Sequence, residues 1–222
     1  MGEPSVRRAA RRDEAGLADL HCRVFPHYAS SALGRRFCAS LLHAYRSSDD
    51  ALVLVVDGAD SPVGYLVGAK PAAQREVNRA MRGRAVRAAV ARCWRPGAWP
   101  HLAPPAVRVR VVNALRRRPH SQVETSAASG PHAPGSPASF RVVLIGVEPA
   151  TRGGGAADAL LSAFADEARG RGDLSAELVV AAGNAAARRC YERNGWSRVD
   201  AGRDETGSAR YRLDLAVPGG LA

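Results

Sequence analysis

The apolar positions fall into short continuous runs and stretches with a helical period. Val142 to Val147 is an apolar run that stops at Pro149, and Leu178 to Ala182 is a second. Between them Ala157, Leu160, Leu161, Phe164 and Ala168 line one face of a helix. Upstream, Ser5 to Ala10 reads as a short first strand. Asp13 is placed as the N-cap of a helix through Leu17, Leu20 and Val24, which Phe25-Pro26 ends. Leu33, Phe37, Leu41 and Tyr45 predict one helix over 33–45. Leu52 to Val56 and Val63 to Gly68 predict a hairpin about the turn-rich Asp57 to Pro62.

Val77, Met81, Ala85, Ala89 and Cys93 recur every four residues, as in an amphipathic helix with arginines on its other faces. Val107, Val111 and Leu115 suggest a further helix, although Val107 to Val111 also alternates like a strand. Pro119 to Ser139 is rich in Ser, Pro, Gly and Ala without period and is expected to be a mobile loop. Then follow a strand over Phe140 to Val147, another over Glu177 to Ala182, and a short helix from Ala185 to Arg193 with Gly195 at its C-terminus. Trp196 to Asp200 and Ala209 to Leu215 are expected to form an antiparallel pair about a turn at 202–208.

The segment Arg152-Gly153-Gly154-Gly155-Ala156-Ala157 joins a strand to a helix start. Glycines let backbone N–H groups approach an anion, and a helix start adds unpaired donors and the positive end of the dipole. This is a seat for a pyrophosphate. A Walker loop is excluded because the only lysine is Lys70, and a dinucleotide fingerprint because Asp158 stands where its last glycine belongs. A flexible turn without ligand is the plain alternative. In the second stretch, Asn184 to Trp196, Asn184, Ala187 and Tyr191 share one helix face.

Together these stretches resemble the GNAT superfamily of acyl-CoA-dependent N-acyltransferases. Arg152, Gly155 and Ala157 match its phosphate-loop pattern. Asn184, Ala187, Tyr191, Gly195 and Trp196 match its following motif, with one helix and one strand between the two. The clear match covers roughly 140–200, with looser agreement over the first 68 residues. The resemblance implies an α/β (α+β) GNAT fold: a mixed sheet of about six or seven strands with flanking helices. Residues 1–216 would be one domain with a basic helical and loop insertion at about 70–139, and 217–222 a loose tail.

By the same resemblance, acetyl-CoA or another acyl-CoA is the co-substrate and no metal is needed. The backbone of Arg152, Gly153, Gly154, Gly155, Ala156 and Ala157 would hold the pyrophosphate. Ile145 and Val147 would pair with the pantetheine arm as an added strand, with Gly146 between them in the cofactor site; Asn184 would hydrogen-bond the arm, and Ala187 would belong to the same site. Arg188 is a candidate for a CoA phosphate. Tyr191 is the candidate general acid, with a packed tyrosine as the alternative. The base is the gap: the fourth strand carries no acid, and Glu148 at its end is the first available. The region between the first two strands, with His27, Tyr28 and Tyr45, would wall the acceptor site.

Composition narrows the picture. No apolar run approaches the roughly eighteen residues of a membrane span. Four scattered cysteines without a C-x-x-C pair read as reduced thiols of a cytoplasmic protein, and six histidines show no ligand spacing. The net charge is +11, and residues 70–118, with thirteen basic side chains and one acid, account for all of it. The plain reading is a solvated helix face; nucleic acid is the weakest of the partner readings, since the segment's aromatics are only Trp94 and Trp99. The expected function is acyl transfer to the primary amine of a small molecule. A protein amine, or a CoA-binding module without turnover, stand as alternatives, and a homodimer is left open.

Overall fold

The computed structural model describes residues 4–59, 61–93, 139–181, 183–199 and 207–215. Seven strands form one sheet in the order β1-β2-β3-β4-β5-β7-β6. They are β1 (Val6–Arg8), β2 (Ala51–Asp57), β3 (Pro62–Ala69), β4 (Ser139–Val147), β5 (Ser175–Ala181), β6 (Ser197–Arg198) and β7 (Ser208–Asp214). All neighbours are antiparallel except β4 and β5, which run parallel. The helices are α1 (Glu14–Val24), α2 (Ala29–Leu33), α3 (Arg35–Arg46), α4 (Pro71–Cys93), α5 (Ala156–Gly170) and α6 (Ala185–Arg193). The parallel step from β4 to β5 is made by α5, as a crossover requires.

The period-two strands divide their side chains between two cores. Leu52, Leu54, Leu66 and Phe140 pack with Leu160, Phe164, Tyr191 and Trp196 from α5, α6 and the residues after it. Val53, Val55, Tyr65 and Val67 pack on the other face with Leu17, Leu41, Tyr45, Val77 and Met81 from α1, α3 and α4. The β3–β4 register slips between Val67 and Gly68, which skips Val143. Such a bulge turns two successive side chains to one face, and Val143 and Leu144 both lie in the second core while Val142 and Ile145 pack on the first. At Gly146 of β4 an added Cβ would stand 2.9 Å from Phe25 and 3.0 Å from Val24, so glycine lets the end of α1 close onto this strand.

Two expectations need amending. The helix expected over 33–45 is two helices, broken at Gly34, whose φ of 95° a side chain would strain. Asp13 precedes α1, but its carboxylate does not cap that helix: it accepts the Ala10 N–H at 2.7 Å and a bidentate pair from Arg7. The basic helix holds as α4, with Ala73, Val77 and Met81 buried. The expectations for 107–115, for 119–138 and for the turn at 202–206 lie outside the described residues.

Folding also joins polar groups far apart in sequence. His21 of α1 is 1% exposed, and its ring nitrogens meet the Tyr65 hydroxyl at 2.5 Å and Ser30 Oγ at 2.7 Å. Burial lowers its pKa from 6.5 to about 4, so it is neutral at pH 7. The unfolded chain takes up a proton near pH 6.5 and the folded one only near 4. Stability is therefore present in full above 6.5 and falls between those values, by about 3 kcal/mol in all. Urea unfolding followed from pH 7 to 4 should show this loss. In His21→Gln the loss over that window should shrink, from a lower stability at pH 7.

Candidate active site

β4 and β5 pair only at Ser139–Arg141 with Ser175–Glu177 and then part. The Arg141–Glu177 ion pair, 3.3 Å and nearly buried, closes the paired end. Beyond it β5 keeps β7 as its partner, and β4 keeps β3. The facing edges of β4 and β5 therefore have no strand between them among the described residues. The Glu148 N–H donates to the Val63 carbonyl at 2.8 Å. Alternation along an antiparallel strand turns Gly146 toward β3 as well, and the N–H and C=O of Ile145 and Val147 into the opening. The Val147 carbonyl accepts a long bond from Arg152 Nε at 3.4 Å.

The glycine-rich loop lies at the end of this edge. Gly153 (φ 83°) and Gly155 (φ 78°) are left-handed, which a glycine adopts without the Cβ clash of other residues. Gly155 is the N-cap of α5 and supplies no side chain to its first turn. The Ala159 N–H donates to the Gly155 carbonyl at 2.9 Å, so the N–H groups of Ala156, Ala157 and Asp158 belong to the open end of the helix. Its dipole adds positive potential there.

The acid of that first turn points elsewhere. Asp158 accepts from Asn194 Nδ2 at 2.6 Å and Arg193 at 2.8 Å, with the Cys190 thiol at 3.7 Å. Burial opposes its ionisation, but these hydrogen bonds from Asn194 and Arg193 outweigh that and hold its carboxyl below the usual range. Asp158 thus ties the start of α5 to the end of α6. No sequence motif marked it.

Helix α6 begins at Asn184, whose Oδ1 caps it by accepting the Ala187 N–H at 3.1 Å. Asn194 is the C-cap and Gly195, φ 79°, takes the left-handed position that follows. Ala187 and Tyr191 turn inward; Tyr191 is 7% exposed, with Trp196 and Tyr211 rings 6.4 and 6.0 Å away. No described residue hydrogen-bonds its hydroxyl. Burial raises its pKa well above that of an ordinary phenol, so it is a protonated donor at neutral pH. Tyr28, between α1 and α2 on the opposite face of the sheet, is close enough to Tyr191 to be felt electrostatically.

The remaining candidates are spread around this core. Glu148 forms an ion pair with Arg23 of α1, 2.8–2.9 Å, and is 24% exposed. Arg188 Nε donates to the Tyr211 hydroxyl at 3.2 Å, and that hydroxyl donates to Glu192 at 2.7 Å, so Arg188 faces β7. Of the acceptor-wall candidates, Tyr45 is fully buried and its hydroxyl has no partner among the described residues, His27 is exposed, and Tyr28 packs on Phe25 with ring centroids 4.6 Å apart. Cys22 and Cys38, sixteen positions apart, bring their sulfurs to 3.8 Å; Cys22, Cys38 and Cys190 are free thiols. No group of three or more metal-ligating side chains occurs among the described residues.

Residues 129–196 match the model of the Acetyltransferase (GNAT) family. No curated protein matches the chain by sequence. Among solved structures, one acetyltransferase superimposes with a TM-score of 0.61 at 17% identity, over 96% of this chain and 100% of that one. The protein yncA from Salmonella typhimurium, solved with its cofactor acetyl-CoA, gives 0.56 at 17% over 99% and 100%. The ribosomal-protein-S18-alanine N-acetyltransferase from Escherichia coli gives 0.53 at 14% over 98% and 97%. At these identities the likeness is one of fold, and the fold is that of the GNAT acetyltransferases.

Proposed function

We propose that this chain, a GNAT acetyltransferase by its matched segment and its fold, moves an acetyl or short acyl group from acyl-CoA to the primary amine of a small molecule. The observation that carries the reading is the unpaired inner edge of β4 running into the glycine-rich loop at the open end of α5. An extended amide chain ending in a pyrophosphate fits both halves: strand-like hydrogen bonds at Ile145 and Val147, then N–H donors from Gly153 to Ala157. The pairing of Asp158, the acid of the first turn of α5, with Arg193 and Asn194 supports the anion seat. Of the motif residues, Arg152 braces the end of β4 and Asn184 and Ala187 begin the helix that carries Tyr191. The residues up to 216 act as one unit in this reading.

The chemistry follows from the same groups. An amine attacks the thioester carbonyl and a thiolate leaves. An N–H of Ile145 or Val147, aimed into the opening, stabilises the oxygen as it gains charge. Tyr191 donates to the departing sulfur. Its raised pKa makes it a weak acid in isolation, but the burial that keeps the phenol neutral also disfavours a thiolate beside it, so donor and acceptor are matched within one environment. Glu148 takes the amine proton only through water, because Arg23 holds its carboxylate. The free thiols of Cys22, Cys38 and Cys190 support placement in the reducing cytoplasm.

The direct test is thiol release from acetyl-CoA over a panel of amino sugars, amino acids and peptide N-termini. Release with one small-amine class alone supports the proposal, and release with peptides alone replaces the acceptor with a protein. Calorimetric CoA binding without release from any amine favours a scaffold that binds without turnover.

A further inference from the structure

We propose that the outward face of α4 is a docking surface for the phosphate backbone of a duplex nucleic acid, independent of the acyl-transfer reading. Arg75, Arg79 and Arg82 fall within about 60° of one another around the helix, with axial steps of about 6 and 4.5 Å. All three are exposed, as is Arg87 about 80° further round from Arg79, and the opposite side of the helix, with Ala73, Val77 and Met81, is buried in the core.

Among the described residues several arginines elsewhere are charge-paired, and those that are not, such as Arg36 and Arg189, do not line one face of a long helix. Arg7, Arg8, Arg23, Arg46, Arg141 and Arg193 are each matched to a carboxylate. No carboxylate among the described residues pairs with Arg75, Arg79, Arg82 or Arg87, although Glu76 lies on the same helix. Like charges three and four positions apart repel along a helix. Helix packing does not require this stripe, since the buried side already seats the helix against α3 and the sheet.

The chemistry of the face selects the partner. Guanidinium forks match phosphate oxygens. A bilayer needs an apolar side, and the apolar side of α4 is already inside the protein; Val86 is the one large apolar side chain described as exposed on the helix. No aromatic side chain stands on the described face to stack on unpaired bases. An acidic protein would have to bring a dense run of carboxylates, whereas a duplex presents regularly spaced phosphates whatever its sequence. The sequence alone ranks nucleic acid last for want of aromatics, but aromatics serve unpaired bases rather than a duplex backbone.

The test is fluorescence anisotropy with a labelled 20-base-pair duplex from about 50 to 200 mM salt. Three neutralised phosphates predict a slope of log affinity against log salt of about −2.7. Arg75→Gln/Arg79→Gln/Arg82→Gln, which keeps good helix formers, should lose at least about tenfold in affinity at low salt and most of the slope. Arg79→Gln alone should reduce the slope by about 0.9, and Arg169→Gln, on α5, should change neither. Circular dichroism checks that the helix is retained. Absence of binding at 50 mM, or full binding by the triple variant, overturns the proposal. It is also overturned if polyglutamate or anionic vesicles bind through the same arginines as tightly as the duplex.

Discussion

Tyr191→Phe is expected to lower turnover by about 100-fold or more while CoA affinity changes by less than about threefold. The substitution removes one hydroxyl and keeps the ring that packs between Trp196 and Tyr211. No described residue hydrogen-bonds that hydroxyl, so no buried partner is orphaned and the fold should keep its stability. The loss should therefore appear in the chemical step. Single-turnover acetyl transfer measures it, and calorimetry with CoA measures the ground state. Turnover equal to that of the unaltered chain would remove Tyr191 from the mechanism and leave it a packing residue. The pH dependence sharpens the result: because burial raises the phenol's pKa, the hydroxyl stays protonated through neutral and mildly alkaline pH, so no loss of activity from Tyr191 ionisation is expected there.

Gly155→Glu is expected to abolish CoA binding, a loss of more than about 100-fold, because like charges brought together cost several kcal/mol. The new carboxylate would stand at the N-cap of α5, among the N–H groups of Ala156 and Ala157 proposed to hold the pyrophosphate. Two effects are mixed in that variant. Gly155 has φ 78°, so any side chain strains the backbone by about 1–2 kcal/mol. Gly155→Ala carries the strain without the charge; it should lower the unfolding midpoint and weaken CoA far less than Glu. An added Cβ at Gly155 meets only Pro4 Cγ at 3.9 Å, so crowding is not the cause of either effect. CoA affinity unchanged in Gly155→Glu would take the pyrophosphate away from this loop.

What was legible in the sequence was local. Strand and helix periods depend on neighbours within a few positions, and the order of elements from Val6 to Asp214 follows them closely over the described residues. The two motifs were legible for the same reason: a glycine-rich loop and a helix face are each written in one short segment. The helix over 33–45 was misread because Leu33 and Phe37 keep the period across Gly34, and only the backbone there, at φ 95°, breaks it.

Tertiary structure decided everything that required two distant segments to meet. The parting of β4 from β5 arises because β5 continues along β7 while β4 continues along β3, a property of the whole sheet. Asp158 is claimed by Arg193 and Asn194, and Glu148 by Arg23, over 35, 36 and 125 positions. His21 resists protonation down to about pH 4 because the fold buries its ring, where Tyr65 and Ser30 meet its nitrogens. The unpaired state of the α4 arginines, too, depends on where every carboxylate of the described fold comes to rest. Composition and period determine which side chains will be buried or exposed. Which charge finds a partner, and which strand edge is left open, is set by long-range packing that no short window of sequence contains.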